Sequence, residues 1–429
     1  MKKESIALRI LIVGCLIVLL LVPLFMIQAL IAERQINRNV SVKEISKSWA
    51  GPQTIAGPIL TTITMGEKMN KEGNKIETKK RNFYLPENLS VEAKVIPEKR
   101  YRGIYSTIVY KTNLKIHGSF SNQKIKEIFS DPSIKESYLS ININDPRGIQ
   151  ENVIVKWNNI EQTVIPGLKD KNIFTNGFHS DISINKDQPD SVFEINLTLN
   201  GVDEINFVPV GKNTEVKISS TWNDPSFTGN FLPSQREIND KGFTATWNVN
   251  HFNRQFPQEW SQSTYDIFKD KFGVKFYIAA DEYQQTMRSS KYGLLLIIFT
   301  FVSFFLVEVF SEKAIHPIQY LLIGLSLIIF YSMLLALSEY ILFQYSYLIA
   351  GSLVIGLITH YTKSIYKNRN IVLSISAMLI SFYGFVYVLL QLQDYSLLLG
   401  NIVLFLILAA IMFFTRKVNW FEVLNPKTN

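Results

Sequence analysis

The stretch YGLLLIIFTFVSFFLVEVFSEKAIHPIQYLLIGLSLIIFYSMLLALSEY, residues 292 to 340, decides the fold. It holds two apolar runs, each long enough to cross a hydrocarbon core about 30 Å thick, for which about 20 helical residues are needed. Its charges gather in two places: Glu308, Glu312 and Lys313 near the join of the two runs, and Glu339 at the far end. A chain patterned this way leaves a membrane, turns and re-enters, so the segment predicts a pair of transmembrane helices.

Working outward, the same criterion predicts six spans, at residues 8–31, 292–310, 317–337, 341–361, 371–390 and 396–414. The expected fold is a membrane protein with six transmembrane α-helices, one N-terminal anchor plus a C-terminal five-helix bundle, and a large β-rich, sandwich-like periplasmic domain. Its segments are a cytoplasmic N-terminus and first span at 1–32, the β-rich domain at 33–290, five spans at 291–415 and a cytoplasmic tail at 416–429.

Charge supports the plan and sets its orientation. The chain carries a net +8, but residues 33–290 hold 33 Lys plus Arg against 30 Asp plus Glu, too even a balance to mark a nucleic-acid surface. One set of short loops and the tail hold Lys313, Lys363, Lys367, Arg369, Arg416, Lys417 and Lys427, whereas 338–340 and 391–395 hold no Lys or Arg. Positive loops stay in the cytoplasm, which places both termini there and 33–290 in the periplasm. Arg34, Arg38, Arg288 and Lys291 flank that domain, but long domains translocate largely regardless of charge. The single cysteine, Cys15, lies inside the first apolar run, so no intrachain disulfide can form. Sixteen apolar or neutral residues follow it, unlike a lipidation signal, and Leu30 sits where a cleavage site wants a small residue. An uncleaved anchor is expected.

Within 33–290, apolar and polar residues alternate with the period of half-buried strands. Phe193, Ile195, Leu197 and Leu199 share one face, as do Phe243, Ala245, Trp247 and Val249. Further strands are expected at 106–118, 152–157, 181–185, 214–222 and 273–279, and helices at Gln35 to Trp49, Asn122 to Phe129 and Gln258 to Lys271. The basic stretch 66–82 reads as a solvated hairpin loop, with contact to anionic headgroups as the alternative.

No G-x-S-x-G, P-loop, H-E-x-x-H or dinucleotide fingerprint occurs. The S-x-x-K strings at Ser121–Lys124 and Ser364–Lys367 are no more than chance provides, and five histidines, His117, His179, His251, His316 and His360, lack metal-site spacing. No catalytic, cofactor or metal site is assigned. Two polar sets stand out. Glu308, Glu312 and His316 are spaced by four and would share a helical face, but Pro317 disfavours helix at His316, so a turn at the membrane edge is expected, with Lys313 beside either glutamate. Glu308 falls within hydrocarbon, where an ionisable group is a functional candidate, for proton or ion handling or for metal binding, unless it serves packing. Trp247, His251 and Arg254 form a candidate outer-domain surface for a periplasmic ligand, against the reading of a hydrogen-bonded strand end.

The chain resembles the CreD family of bacterial inner-membrane proteins. The resemblance lies in SWAGPQTIAGPIL at 48–60, RGIYSTIVY at 102–110, DPRGI at 145–149, residues 224–260 and residues 288–340. Relatives carry Pro-Val-Asp where this chain has Ala279, Ala280 and Asp281, and the last two spans match only in apolar character. Resemblance implies a role in cell envelope integrity, envelope stress response and colicin tolerance, and supplies no catalytic residues. The expected protein is a non-enzyme without cofactor. Its expected partners are the bilayer and an envelope protein or cell-wall component, with no nucleic acid and an oligomeric state left open. The rival readings are a membrane enzyme acting on lipid or cell-wall intermediates and an ion-coupled transporter using Glu308.

Overall fold

The computed structural model describes residues 6–69, 75–182, 191–262, 265–276, 282–311 and 313–391, with scattered positions between 398 and 413. The chain divides into two compact units, one made of residues 1–37 and 280–429 and the other of residues 38–279.

The first unit is helical. It contains most of α1 (Ile6–Trp49), then α3 (Glu282–Lys291), α4 (Gly293–Ser311), α5 (Pro317–Ser338), α6 (Phe343–Ile365) and α7 (Arg369–Gln391). Among the described residues, α1, α4, α5, α6 and α7 are long and apolar enough to cross a membrane. The sixth expected span, 396–414, lies largely outside the described residues; the positions described within it are helical. One face of each helix is buried, as Leu296, Ile297, Phe301 and Phe304 are in α4, while Leu322, Leu325 and Ile329 of α5 stay exposed. Exposed leucines and isoleucines would be costly in water and are the ordinary lipid-facing surface of a membrane helix.

Close packing of α1 depends on small residues. A Cβ on Gly324 of α5 would stand 2.2 Å from Leu20 Cδ1, and one on Gly293 of α4 would stand 2.7 Å from Leu24 Cδ1. Glycine therefore opens the groove in which two buried leucines of α1 sit. The helix expected over Gln35 to Trp49 is the continuous extension of α1.

The second unit is a sandwich. Strands are numbered in chain order. One sheet runs β13 (Pro225–Gly229), β17 (Phe272–Phe276), β11 (Glu204–Phe207), β1 (Gln53–Met69), β5 (Ile134–Ile143), β9 (Gly177–Asp181), β8 (Val164–Pro166), with β2 (Lys75–Tyr84) on β1 and β16 (Glu259–Ser261) on β2. The other runs β14 (Gln235–Asn239), β15 (Gly242–Asn250), β12 (Asn213–Ser220), β3 (Asn88–Arg102), β4 (Tyr105–Ser119), β10 (Val192–Val202), β6 (Ile154–Trp157), β7 (Ile160–Gln162). The alternating residues named above supply its core: Ile195, Leu199, Ala245 and Trp247 are all buried, in one cluster with Ile141, Phe207 and Val274. Short α2 (Asn122–Ser130) adds Ile125 and Ile128 to that cluster.

Three expectations differ from what is seen. The helix expected at Gln258–Lys271 is absent among the described residues; β16 pairs with β2 there, burying Trp260 at 5.6 Å from Phe83, and a 3-10 turn covers Ile267–Asp270. The pairing of a large buried aromatic outweighs local helix preference. Basic 66–82 is a hairpin, but most of it is strand, paired as far as Met69 with Lys75, and its tip lies outside the described residues. The strand expected at 181–185 is instead β9, ending at Asp181, with 183–185 outside the described residues.

Candidate functional site

Glu308 is placed by the last full turn of α4 and is 4% exposed. Its Oε1 lies 2.6 Å from Arg9 Nη1, and its Oε2 accepts a 2.9 Å hydrogen bond from the Tyr320 hydroxyl. Tyr320 stands in the first turn of α5, held edge-on by Phe301 at 5.4 Å. Both carboxylate oxygens are thus engaged, one by a cation and one by a hydroxyl. A carboxylate whose two oxygens are both taken up by side chains of other helices suits a latch between helices.

The other two members of the four-residue spacing do not join it. Glu312 lies outside the described residues. His316 is exposed and caps α5: its Nδ1 accepts from the Ile318 N–H at 3.3 Å, and Gln319 Oε1 accepts from the His316 N–H at 3.0 Å. Pro317 occupies the first turn, where its missing N–H costs nothing. Lys313 points elsewhere, donating to the Ile365 carbonyl and lying 5.6 Å from the Tyr366 ring, so Arg9 takes the place expected for Lys313.

A second pair sits at the opposite end of the bundle. Glu339, at the C-cap of α5, has Oε1 3.6 Å from Arg34 Nε and 3.5 Å from the Tyr283 hydroxyl. Arg9 and Arg34 are 25 residues apart on α1, about 38 Å at 1.5 Å per residue. One helix therefore meets a glutamate near each end of the bundle, with Leu20 and Leu24 packed between.

In the sandwich, three stretches that carry the resemblance converge where α1 ends. The Trp49 indole N–H donates to the Tyr110 carbonyl at 3.3 Å, and the Gly51 N–H donates to Asp145 Oδ2 at 2.8 Å. Arg147 makes two bonds to the Asp145 carboxylate, at 2.9 and 2.6 Å, and reaches the Lys47 carbonyl at 3.0 Å. Fully buried Gln53 donates to the carbonyls of Asp145 and Asn200 and accepts the Asp145 N–H. Gly148 is required: a Cβ there would stand 2.4 Å from the Asn200 carbonyl oxygen. The Arg147 guanidinium, aided by the Gly51 and Arg147 N–H groups and opposed by partial burial, holds the Asp145 carboxyl below its usual range.

Trp247 and Arg254 are interior, so with His251 they do not form the expected surface. Trp247 is fully buried and donates to the Phe231 carbonyl at 3.1 Å. Arg254 is 7% exposed, lies 4.4 Å from the Phe256 ring and hydrogen-bonds Gln258. Burial lowers it to about 10, and Asp270 opposes that shift. His251 is half-buried and its ring lies tilted against Phe252, with centroids 4.1 Å apart. Among the described residues, no group of three His, Cys, Asp or Glu side chains could hold a metal ion.

Gln53, Arg147 and Tyr320 lie in stretches that carry the resemblance, but no spacing or motif assigns them a role. Arg9 offers one signal, a cation at the very start of an apolar run.

A family model described as "Inner membrane protein CreD" matches residues 5–421. The chain is also similar to a protein of that description from Escherichia coli strain K12, at 33% identity over 425 residues, covering 96% of this chain and 93% of the relative.

Proposed function

The chain belongs to the CreD family of inner membrane proteins, and from that premise we propose that it maintains or reports on the cell envelope through its sandwich domain. On this reading the sandwich lies in the periplasm, both termini lie in the cytoplasm, and the sandwich touches an envelope protein or cell-wall component. The observation carrying it is the clasp inside the sandwich unit, where three stretches that carry the resemblance meet around Asp145, Arg147 and Gln53. On this reading the protein acts without catalysis. Photocrosslinking from exposed sandwich positions in intact cells should capture one recurrent envelope partner; a spread of unrelated products, or none, overturns the reading.

Orientation is tested separately. In a Cys15→Ser background, Lys115→Cys should react with a membrane-impermeant thiol reagent added to spheroplasts, and Lys367→Cys should react only after lysis. The reverse pattern would overturn the assignment. The rival transporter reading requires Glu308 to exchange protons, and its two engaged oxygens speak against it. A Glu308→Gln variant at normal protein level should keep its envelope phenotype.

A further inference from the structure

Hydroxyls on helices in apolar surroundings ordinarily turn back onto the carbonyl four residues earlier. Ser303, Ser326, Thr362, Ser376 and Ser381 do so here, at 2.6 to 2.9 Å. Thr286, Ser289 and Thr300 do not, although all three are fully buried and their oxygens find no hydrogen-bond partner among the described residues. The buried hydroxyls of Tyr331 and Tyr383 are in the same condition.

Three of these groups lie at one level. Thr300 is seven residues inside the start of α4, Tyr331 seven before the end of α5 and Tyr383 eight before the end of α7, so each is about 10 to 12 Å from the same end of the bundle. Ring contacts tie the level together. Phe299 and Phe382, the neighbours of Thr300 and Tyr383, stack at 4.9 Å. Phe330 meets the Tyr383 ring at 4.8 Å, and a Cβ on Gly293 would touch Tyr331 at 3.2 Å. Thr286 and Ser289 come from α3, which packs against α4, α5, α6 and α7 at that end.

A buried hydroxyl without a partner is costly in hydrocarbon, and phenylalanine or valine would fill the same space without that cost. Five such groups on four helices, all neutral, ask for a neutral hydrogen-bonding guest. We infer that Thr286, Ser289, Thr300, Tyr331 and Tyr383 line an internal site for water that reaches from the α3 end about a third of the way through the membrane. Waters with two to four polar partners are a regular part of buried structure. Glu339, Arg34 and Tyr283 border this end of the bundle and would mark its approach from solvent.

Thiols react as thiolates, which form only where water reaches them. In full-length protein carrying Cys15→Ser and reconstituted in liposomes, Thr300→Cys should react with 2-aminoethyl methanethiosulfonate at least tenfold faster than Leu327→Cys. Leu327 is a fully buried control deeper in α5. Equal rates overturn the inference. Tyr383→Phe tests the site independently, should Thr300→Cys fail to fold. Loss of a hydroxyl that binds water should lower the thermal midpoint, whereas a rise would show that the hydroxyl had no guest and would also overturn it.

Discussion

Arg9 Nη1 lies 2.6 Å from Glu308 Oε1 although the two residues are 299 positions apart, so the start of the first span is bound to the end of the second. Removing one partner of a buried pair leaves the other charge uncompensated, at a cost of about 3–5 kcal/mol. Arg9→Met should therefore destabilise strongly, and Glu308→Gln less, because the amide still accepts from Tyr320. The double variant should recover much of the loss. Apparent thermal midpoints in detergent measure all three, and additive losses in the double variant would disprove the coupling.

Gly324 faces Leu20 across the α1–α5 contact. A methyl group added there must displace Leu20 from a site also bounded by Phe301, whose Cζ would stand 3.0 Å from it. Gly324→Ala should cost about 1–3 kcal/mol, the usual penalty for overpacking. Leu20→Ala in the same chain should restore part of it. No rescue would mean that the two residues do not meet.

The strand faces were legible because burial on one side of a sheet imposes a period of two on the residues themselves. Phe193 to Leu199 and Phe243 to Val249 needed no tertiary knowledge. The turn at Pro317 was legible for a like reason, since proline restricts the residue before it. Contacts between distant segments were not. Nothing local marks Arg9 as the partner of Glu308, or Arg147 as the clasp on Lys47, and the alternation that reveals strand faces stops before Arg254, so its burial was not legible. The span of α1 beyond the membrane was readable, whereas the site that fixes its end was not.

Trp247 and His251 stand four residues apart and should respond differently. Trp247→Ala removes a fully buried indole and its bond to Phe231, and should cost about 3–5 kcal/mol. His251→Ala, at a half-buried strand end, should change stability by less than about 1 kcal/mol. Tryptophan is itself the usual fluorescence probe, so circular dichroism should follow the unfolding. Similar losses for the two variants would refute their separation into core and periphery.

Asp145 gives the sandwich a defined acid sensitivity. Its folded pKa lies below the ordinary aspartate value of about 3.9, chiefly through the Arg147 hydrogen bonds. A lowered carboxyl stabilises the folded state fully above the unfolded value, and that contribution fades as pH falls through the folded one. Asp145→Asn abolishes it at every pH. Wild type should therefore have the higher urea midpoint at pH 7, and the gap should narrow below about pH 4. Urea midpoints of the full-length protein at pH 7 and pH 3 decide the matter. A gap of the same size at both would mean that Asp145 acts through shape, with its charge and the Arg147 clasp contributing nothing to the end of α1.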